Sequence, residues 1–156
     1  MLFFENSIVN MNNHNNTKFL GFYLNNDIYA IPISDICEIN RLANLFEEKS
    51  LDRAIIGMIN YHGKTTPVYN LKKILNLSVV NQDTLTMWFA FKHVSGVSCF
   101  AFDSLYQMLH ASPDCIDTVS EFAAMSIHTK YVQTYLRIDE RLIPVLELEK
   151  WVKETI

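Results

Sequence analysis

The residues that could do chemistry in this chain are its 3 cysteines and 5 histidines. The cysteines are Cys37, Cys99 and Cys115, and no two of them form the closely spaced pair that a zinc site or a disulfide framework would need. The histidines are His14, His62, His93, His110 and His128, and no two of them stand four residues apart. This scatter predicts no metal site and no cofactor.

A cysteine and a histidine that meet in space could still form a nucleophilic pair, so a hydrolase using Cys115 or Cys99 is one alternative. Cys37 and Cys99 stand in apolar, strand-like stretches, where the commoner role of cysteine is that of a small buried side chain. Three carboxylates are placed at strand ends, where such groups usually cap turns: Asp35, Asp103 and Glu147. The chain is therefore predicted not to be an enzyme.

Composition narrows the classes of partner. The chain has 13 Lys plus Arg against 17 Asp plus Glu, a formal net charge of −4, and no basic run. It therefore lacks the positive footprint of a nucleic-acid-binding protein. No stretch of about 18 apolar residues occurs, so direct insertion into a membrane is not predicted either.

Short apolar and β-branched segments, separated by polar clusters about every eight to twelve residues, indicate an all-β domain. Residues 1–16 are Asn-rich and predict a flexible tail before a domain over 17–156. Strands are predicted over 18–24, 28–31, 54–60, 65–69, 85–92, 97–102, 131–138 and 141–146. A short helix is predicted over 71–77, and a C-terminal helix has Leu148, Trp151, Val152 and Ile156 on one face. Long connections are predicted over 41–53 and 111–129.

The two halves of the chain resemble each other. The matching stretches are Ile33–Ile39 with Ala101–Gln107, and Pro67–Lys73 with Pro144–Lys150. This repeat aligns Asp35 with Asp103 and predicts a first barrel over about 17–78 and a second over about 84–156. Each half is too small to be stable alone, so we expect a buried seam between them and a groove along that seam.

Several short motifs occur in a fixed order along residues 17–153. They are YAIPI (29–33), ICEI (36–39), IGMINYHG (56–63), PVYNL (67–71), YVQ (131–133), LRID (136–139) and RLIPVLELEK (141–150). Their order resembles that of the CheW family. The resemblance implies a mostly β fold of two intertwined five-stranded SH3-like barrels, with short helices and a C-terminal helix.

The resemblance also implies a function. Such a protein is a non-catalytic, cytoplasmic adaptor recruited to membrane-associated receptor arrays. It couples the cytoplasmic tip of a methyl-accepting chemoreceptor to the regulatory domain of a CheA-type histidine kinase. Relatives, including those of the PilI type, serve either flagellar chemotaxis or the twitching motility of type IV pili. The receptor-binding positions implied are Ile36, Glu38, Ile39, Gly57, Asn60, His62 and Gly63.

Two positions in this set, Glu38 and Gly57, carry physical expectations of their own. Glu38 is expected to present its charge at the rim of an apolar patch formed with Ile36 and Ile39. Gly57 interrupts a β-branched strand and indicates either a bulge or the close approach of a partner.

Two departures from the family pattern carry further expectations. His62 stands where the family usually has Arg, so any interaction with Glu38 is expected to strengthen below neutral pH. Glu140 stands where a hairpin glycine is usual, so the turn at Asp139 and Glu140 is expected to depart from type I′. A sensory module that binds a small molecule in the groove is a further alternative.

Overall fold

A computed structural model describes residues 17–47, 54–78, 84–118 and 130–156. The strands are β1 (Thr17–Leu24), β2 (Asp27–Pro32), β3 (Ile36–Arg41), β4 (Ile55–Tyr61), β5 (Lys64–Asn70), β6 (Met87–His93), β7 (Gly96–Phe102), β8 (Ser104–Ala111), β9 (Ile116–Thr118), β10 (Val132–Ile138) and β11 (Arg141–Leu146). The helices are α1 (Leu71–Ile74) and α2 (Leu148–Thr155). The predicted tail, His14 and His128 lie outside the described residues. Within the described ranges, no helix has the length and apolar character needed to cross a membrane.

The strands form two sheets. One has the order β8-β1-β2-β11-β10-β9, and the other has the order β3-β6-β7-β5-β4. The predicted mostly β class, with two sheets and few helices, is confirmed. The predicted number of five strands holds for the second sheet only, because β9 pairs with β10 and adds a sixth strand to the first. β9 lies within the stretch 111–129 that the sequence predicts as a connection.

Each sheet is built from strands of both halves of the chain. The hairpin β1-β2 joins β8 to β11, whereas the hairpin β6-β7 joins β3, β4 and β5. Each hairpin pairs in parallel with one of its neighbours: β2 with β11 in the first sheet, and β7 with β5 in the second. The sheets therefore do not coincide with the stretches 17–78 and 84–156, and each half supplies strands that the other needs.

The sequence repeat has a counterpart in the fold. β5 leads into α1 and lies parallel to β7, just as β11 leads into α2 and lies parallel to β2. Asp35 directly precedes β3, and Asp103 directly precedes β8. These two aspartates mark the two points at which the chain crosses from one sheet to the other.

The central strands are buried on both faces. Along β6 and β7, the phenylalanine rings point into the seam between the sheets. They are Phe89, Phe91, Phe100 and Phe102. The opposite face packs within its own sheet through Trp88, Ala90, Cys99 and Ala101. From β1, Phe22 enters the seam with its ring centroid 5.2 Å from that of Phe102. Each fully buried side chain of this size contributes about 1.5–3 kcal/mol, so the seam is a principal source of stability.

The edge strands β3 and β8 were not among the predicted strands. Each contains a bulge, so the alternation of inward and outward residues breaks within the strand. Elsewhere, α1 is shorter than predicted and ends at Ile74. At the C-terminus Ile156 is 53% exposed, since α2 ends before it, and so it does not share the buried face of Leu148, Trp151 and Val152.

Candidate interaction surface

The seven predicted receptor-binding residues lie on β3, on β4 and in the turn between β4 and β5. β3 and β4 occupy opposite ends of the five-stranded sheet. The segment after β3 brings the two edges together, because Phe46 and Met58 exchange backbone hydrogen bonds of 3.0 and 2.8 Å. The structure thus places these residues in one region of the sheet.

The bulge in β3 decides which of its side chains reach solvent. Cys37 is the extra residue, since Ile36 pairs with Phe91 and Glu38 pairs with the adjacent Ala90. The bulge turns both Ile36 and Ile39 into the seam, where they are 9% and 3% exposed. The expected apolar patch around Glu38 is therefore not formed by these two side chains. Cys37 is exposed, so the prediction that it is a core cysteine is wrong.

Gly57 follows a second bulge, between Ile55 and Gly57 in β4. It is buried, and a Cβ at this position would lie 3.3 Å from both Leu45 Cδ2 and the Phe46 carbonyl oxygen. The space beside Gly57 is thus filled by the protein's own chain. The structure favours the bulge interpretation over direct contact with a partner.

The turn between β4 and β5 is held by Asn60. Its side-chain oxygen accepts a hydrogen bond of 2.9 Å from the Gly63 backbone N–H. His62 and Gly63 have φ of 48° and 82°, the left-handed pair that a two-residue type I′ hairpin requires. All three residues are exposed. The turn therefore presents the His62 ring from a fixed backbone.

Glu38 and His62, two residues that the structure describes, form no ion pair or hydrogen bond with each other. Tyr61 lies beside both groups. Its ring centroid is 4.3 Å from that of His62, in edge contact, and its pKa is raised by burial and then by the charges of Cys37 and Glu38. We call the four exposed residues Cys37, Asn60, His62 and Gly63, together with the half-buried Glu38, the β3–β4 surface.

The thiols and imidazoles do not assemble a catalytic pair in the described residues. Cys99 is fully buried, and burial raises the pKa of its thiol to about 12, so the nucleophilic thiolate does not form near neutral pH. Cys115 lies 3.6 Å from the Ser112 hydroxyl, and the His93 ring pairs with Ser98. Across the described ranges, no group of three His, Cys, Asp or Glu is arranged to hold a metal ion.

A polar site that the sequence did not predict lies at Asp103. The sequence predicts this residue only as a carboxylate that caps a turn. Lys72 Nζ is 2.7 Å from Asp103 Oδ1, and the two side chains are 1% and 13% exposed. Thr84 and the Asn25 backbone N–H also donate to this carboxylate, each at 2.8 Å. A lysine in a four-residue helix gives no sequence signal of burial. The internal repeat could have drawn attention to the site, because it aligns Asp103 with Asp35, and both aspartates lie where the chain crosses between the sheets.

The fold is that of an all-β domain built from two interlocked sheets. Residues 18–155 match the family model of the CheW-like domain. The chain is 24% identical to the chemotaxis protein CheW of Helicobacter pylori over 137 residues, which are 88% of this chain and 82% of that protein. The chain therefore belongs to the CheW-like domain family.

A solved structure supports the fold independently. The scaffolding protein TtCheW from Thermoanaerobacter tengcongensis superposes with a TM-score of 0.74 at 19% identity, covering 83% of this chain and 88% of that one. This similarity shows the fold, and the family match makes the chain a member of a family of non-catalytic domains, not an enzyme.

Proposed function

We propose that this protein is the adaptor that couples chemoreceptor tips to the regulatory domain of a CheA-type histidine kinase. It would act in the cytoplasm, at receptor arrays on the membrane. The observation that carries the proposal is the family match over residues 18–155. The fold supports it, because two sheets locked through one seam supply a rigid body with exposed edge strands for partners.

Within this function, we propose that the β3–β4 surface contacts the receptor. Glu38, Asn60, His62 and Gly63 are the predicted positions that solvent or a partner can reach. Ile36, Ile39 and Gly57 would act from beneath, by setting the two bulges that aim these groups outward. Direct contact and positioning therefore fall on different residues of the predicted set.

Titration with a soluble receptor signalling tip and with the kinase regulatory domain tests this division of roles. His62→Ala removes an exposed ring without touching the core, and it should weaken receptor binding at least about fivefold while the melting temperature is unchanged. Glu140→Ala, on an exposed turn of the other sheet, is the matched control and should bind as the parent does. Receptor affinity that is insensitive to His62→Ala would contradict the assignment of the surface.

A deletion strain identifies the pathway. Loss of swimming chemotaxis with intact twitching would assign the adaptor to flagellar control, and the opposite result would assign it to type IV pili. Failure of the purified protein to bind any CheA-type kinase of its cell would contradict the coupling role itself.

A further inference from the structure

A cleft of about 710 Å³ lies between the two sheets, at the start of α2. Its apolar lining includes Phe19, Pro32 and Phe91, from both sheets. Four carboxylates line the same cleft, those of Asp35, Glu147, Glu149 and Glu154, together with the ammonium groups of Lys150 and Lys153. The cleft thus combines apolar surface with negative charge, and it lies apart from the residues of the β3–β4 surface.

The internal repeat provides a second copy of this place in the fold. Aligning Asp35 with Asp103 and Pro144 with Pro67 brings Glu149 onto Lys72 and Glu147 onto Asn70. Both Lys72 and Glu149 are the second residue of the helix that follows the parallel strand. In the copy at Asp103, an ammonium group lies 2.7 Å from the carboxylate. In the copy at Asp35, the corresponding residue is an acid.

The substitution leaves Asp35 without the ammonium partner that Asp103 has in Lys72. Among the described residues, neither Asp35 nor Glu149 takes part in an ion pair, and burial, followed by the charge of Glu149, raises the pKa of Asp35. Asn70 caps α1 by accepting from the Lys72 N–H at 2.9 Å, but Glu147 makes no such bond to α2. Burial also raises the pKa of Glu147.

Of the two lysines that line the cleft, Lys150 and Lys153, neither forms an ion pair with Asp35 or Glu149 among the described residues. Lys150 lines the cleft and lies near Glu147, and its Nζ donates 3.2 Å to the Lys130 carbonyl. Glu154 is paired with Lys130 and accepts from the Tyr131 hydroxyl. His93 lies near Glu149, but burial lowers the pKa of its ring and so disfavours the cationic form.

We propose that this cleft is a docking site for a partner segment that inserts a lysine or arginine between Asp35 and Glu149. The cation would occupy the place that Lys72 takes in the other half, and the apolar neighbours of that residue would cover Pro32, which is half-buried in the lining of the cleft. Charge complementarity selects such an occupant, and a metal ion is disfavoured because no metal-binding cluster exists among the described residues. The proposal goes beyond receptor and kinase coupling and does not depend on the β3–β4 surface.

The test uses the full chain, labelled with ¹⁵N, and two blocked pentapeptides. One carries a central arginine between alanines, with leucine at each end. The other carries citrulline, which has the same shape without charge. The arginine peptide should shift the amide signals of Asp35 and Glu149 and should bind at least about tenfold more tightly than the citrulline peptide.

Glu149→Lys is the decisive variant, because it copies the arrangement at Lys72 and supplies the cation internally. It should remove the arginine preference, whereas Glu140→Lys, with the same charge change on an exposed turn, should keep it. No shift at millimolar peptide, or equal affinity for both peptides, would overturn the proposal. So would shifts that free arginine amide reproduces fully, which mark a small-molecule site, or shifts that appear on concentrating the protein alone, which mark a second copy.

Discussion

Lys72 Nζ lies 2.7 Å from Asp103 Oδ1, and this pair joins the start of α1 to the crossover between β7 and β8. The same carboxylate accepts from the turn between β1 and β2 through Asn25, and from Thr84. Four segments, two from each half of the chain, therefore meet at one aspartate. The contact reinforces the seam at the place where the chain changes sheets.

Removing the Lys72 ammonium from this pair should strongly destabilise the folded protein. Lys72→Met keeps the length of the side chain but leaves the Asp103 charge without its partner, which should lower the free energy of unfolding by about 3–5 kcal/mol. Arg137 forms an exposed pair with Asp117 at 2.7 Å, and Arg137→Met is the matched control, expected to cost under about 1 kcal/mol. Urea unfolding of both variants measures the difference, and similar losses would contradict it.

Two buried glycines should differ in their tolerance of a methyl group. A Cβ on Gly21 would lie 2.9 Å from the Gln107 carbonyl oxygen in the bulge of β8, and this backbone atom cannot move away as easily as a side chain can. Gly21→Ala should therefore cost about 1–3 kcal/mol. Gly57→Ala should cost less, because its nearest neighbours, Leu45 Cδ2 and the Phe46 carbonyl oxygen, are farther away at 3.3 Å and the Leu45 side chain can move. Urea midpoints that rank the variants in the opposite order would show that β8 is the more compliant strand.

The turn between β10 and β11 is type I′, although its sequence predicted otherwise. Asp139 and Glu140 have φ of 49° and 65°, and Glu140 lacks the glycine that such a conformation favours. Glu140→Gly should raise the free energy of unfolding by about 1 kcal/mol, since it removes the left-handed strain. Asn26→Gly in the equivalent turn after β1 should gain less, because asparagine tolerates this conformation. Equal gains in thermal melting would rule out this account of the strain.

The carboxylates of the cleft should give stability a defined dependence on pH. The pKa of Asp35 is raised above its ordinary 3.8, first by burial and then by Glu149, so the folded chain holds this proton more tightly than the unfolded chain. Its contribution is complete below the ordinary pKa and is lost as pH rises through the raised value. Asp35→Asn should therefore gain stability relative to the parent above about pH 4. A constant difference across the titration would indicate no burial of the charge.

Strands whose residues alternate regularly could be predicted, and so could the hairpins, the repeat and the C-terminal helix. β6 shows why, because Phe89 and Phe91 alternate with Trp88 and Ala90 over its whole buried length. β3 shows the limit. Its bulge at Cys37 breaks the period of two, so the pattern predicted neither the strand nor the exposed thiol.

The exchange of strands could not be derived from residue patterns alone. The continuous apolar run in β2, Ile28–Ile31, indicates that both faces of the strand are buried, but it does not identify β11 as the neighbour. In the same way, the sequence does not distinguish Lys72 from a charged residue of an exposed helix, because only the fold brings its partner Asp103 beside it. The location of the candidate interface came from the family resemblance. The structure was needed to separate its exposed residues from its buried ones.

The exchanged hairpins have a consequence for synthesis on the ribosome. The hairpin β1-β2 emerges first, but its parallel neighbour pairs Ala30 with Val145, close to the C-terminus. β3, β4 and β5 likewise wait for β6 and β7 before their sheet is complete. Because pairings so distant in sequence form late and slowly, the hairpin β1-β2 exposes apolar residues until β11 has been synthesised. This topology therefore creates an interval during synthesis in which those strands are open to aggregation.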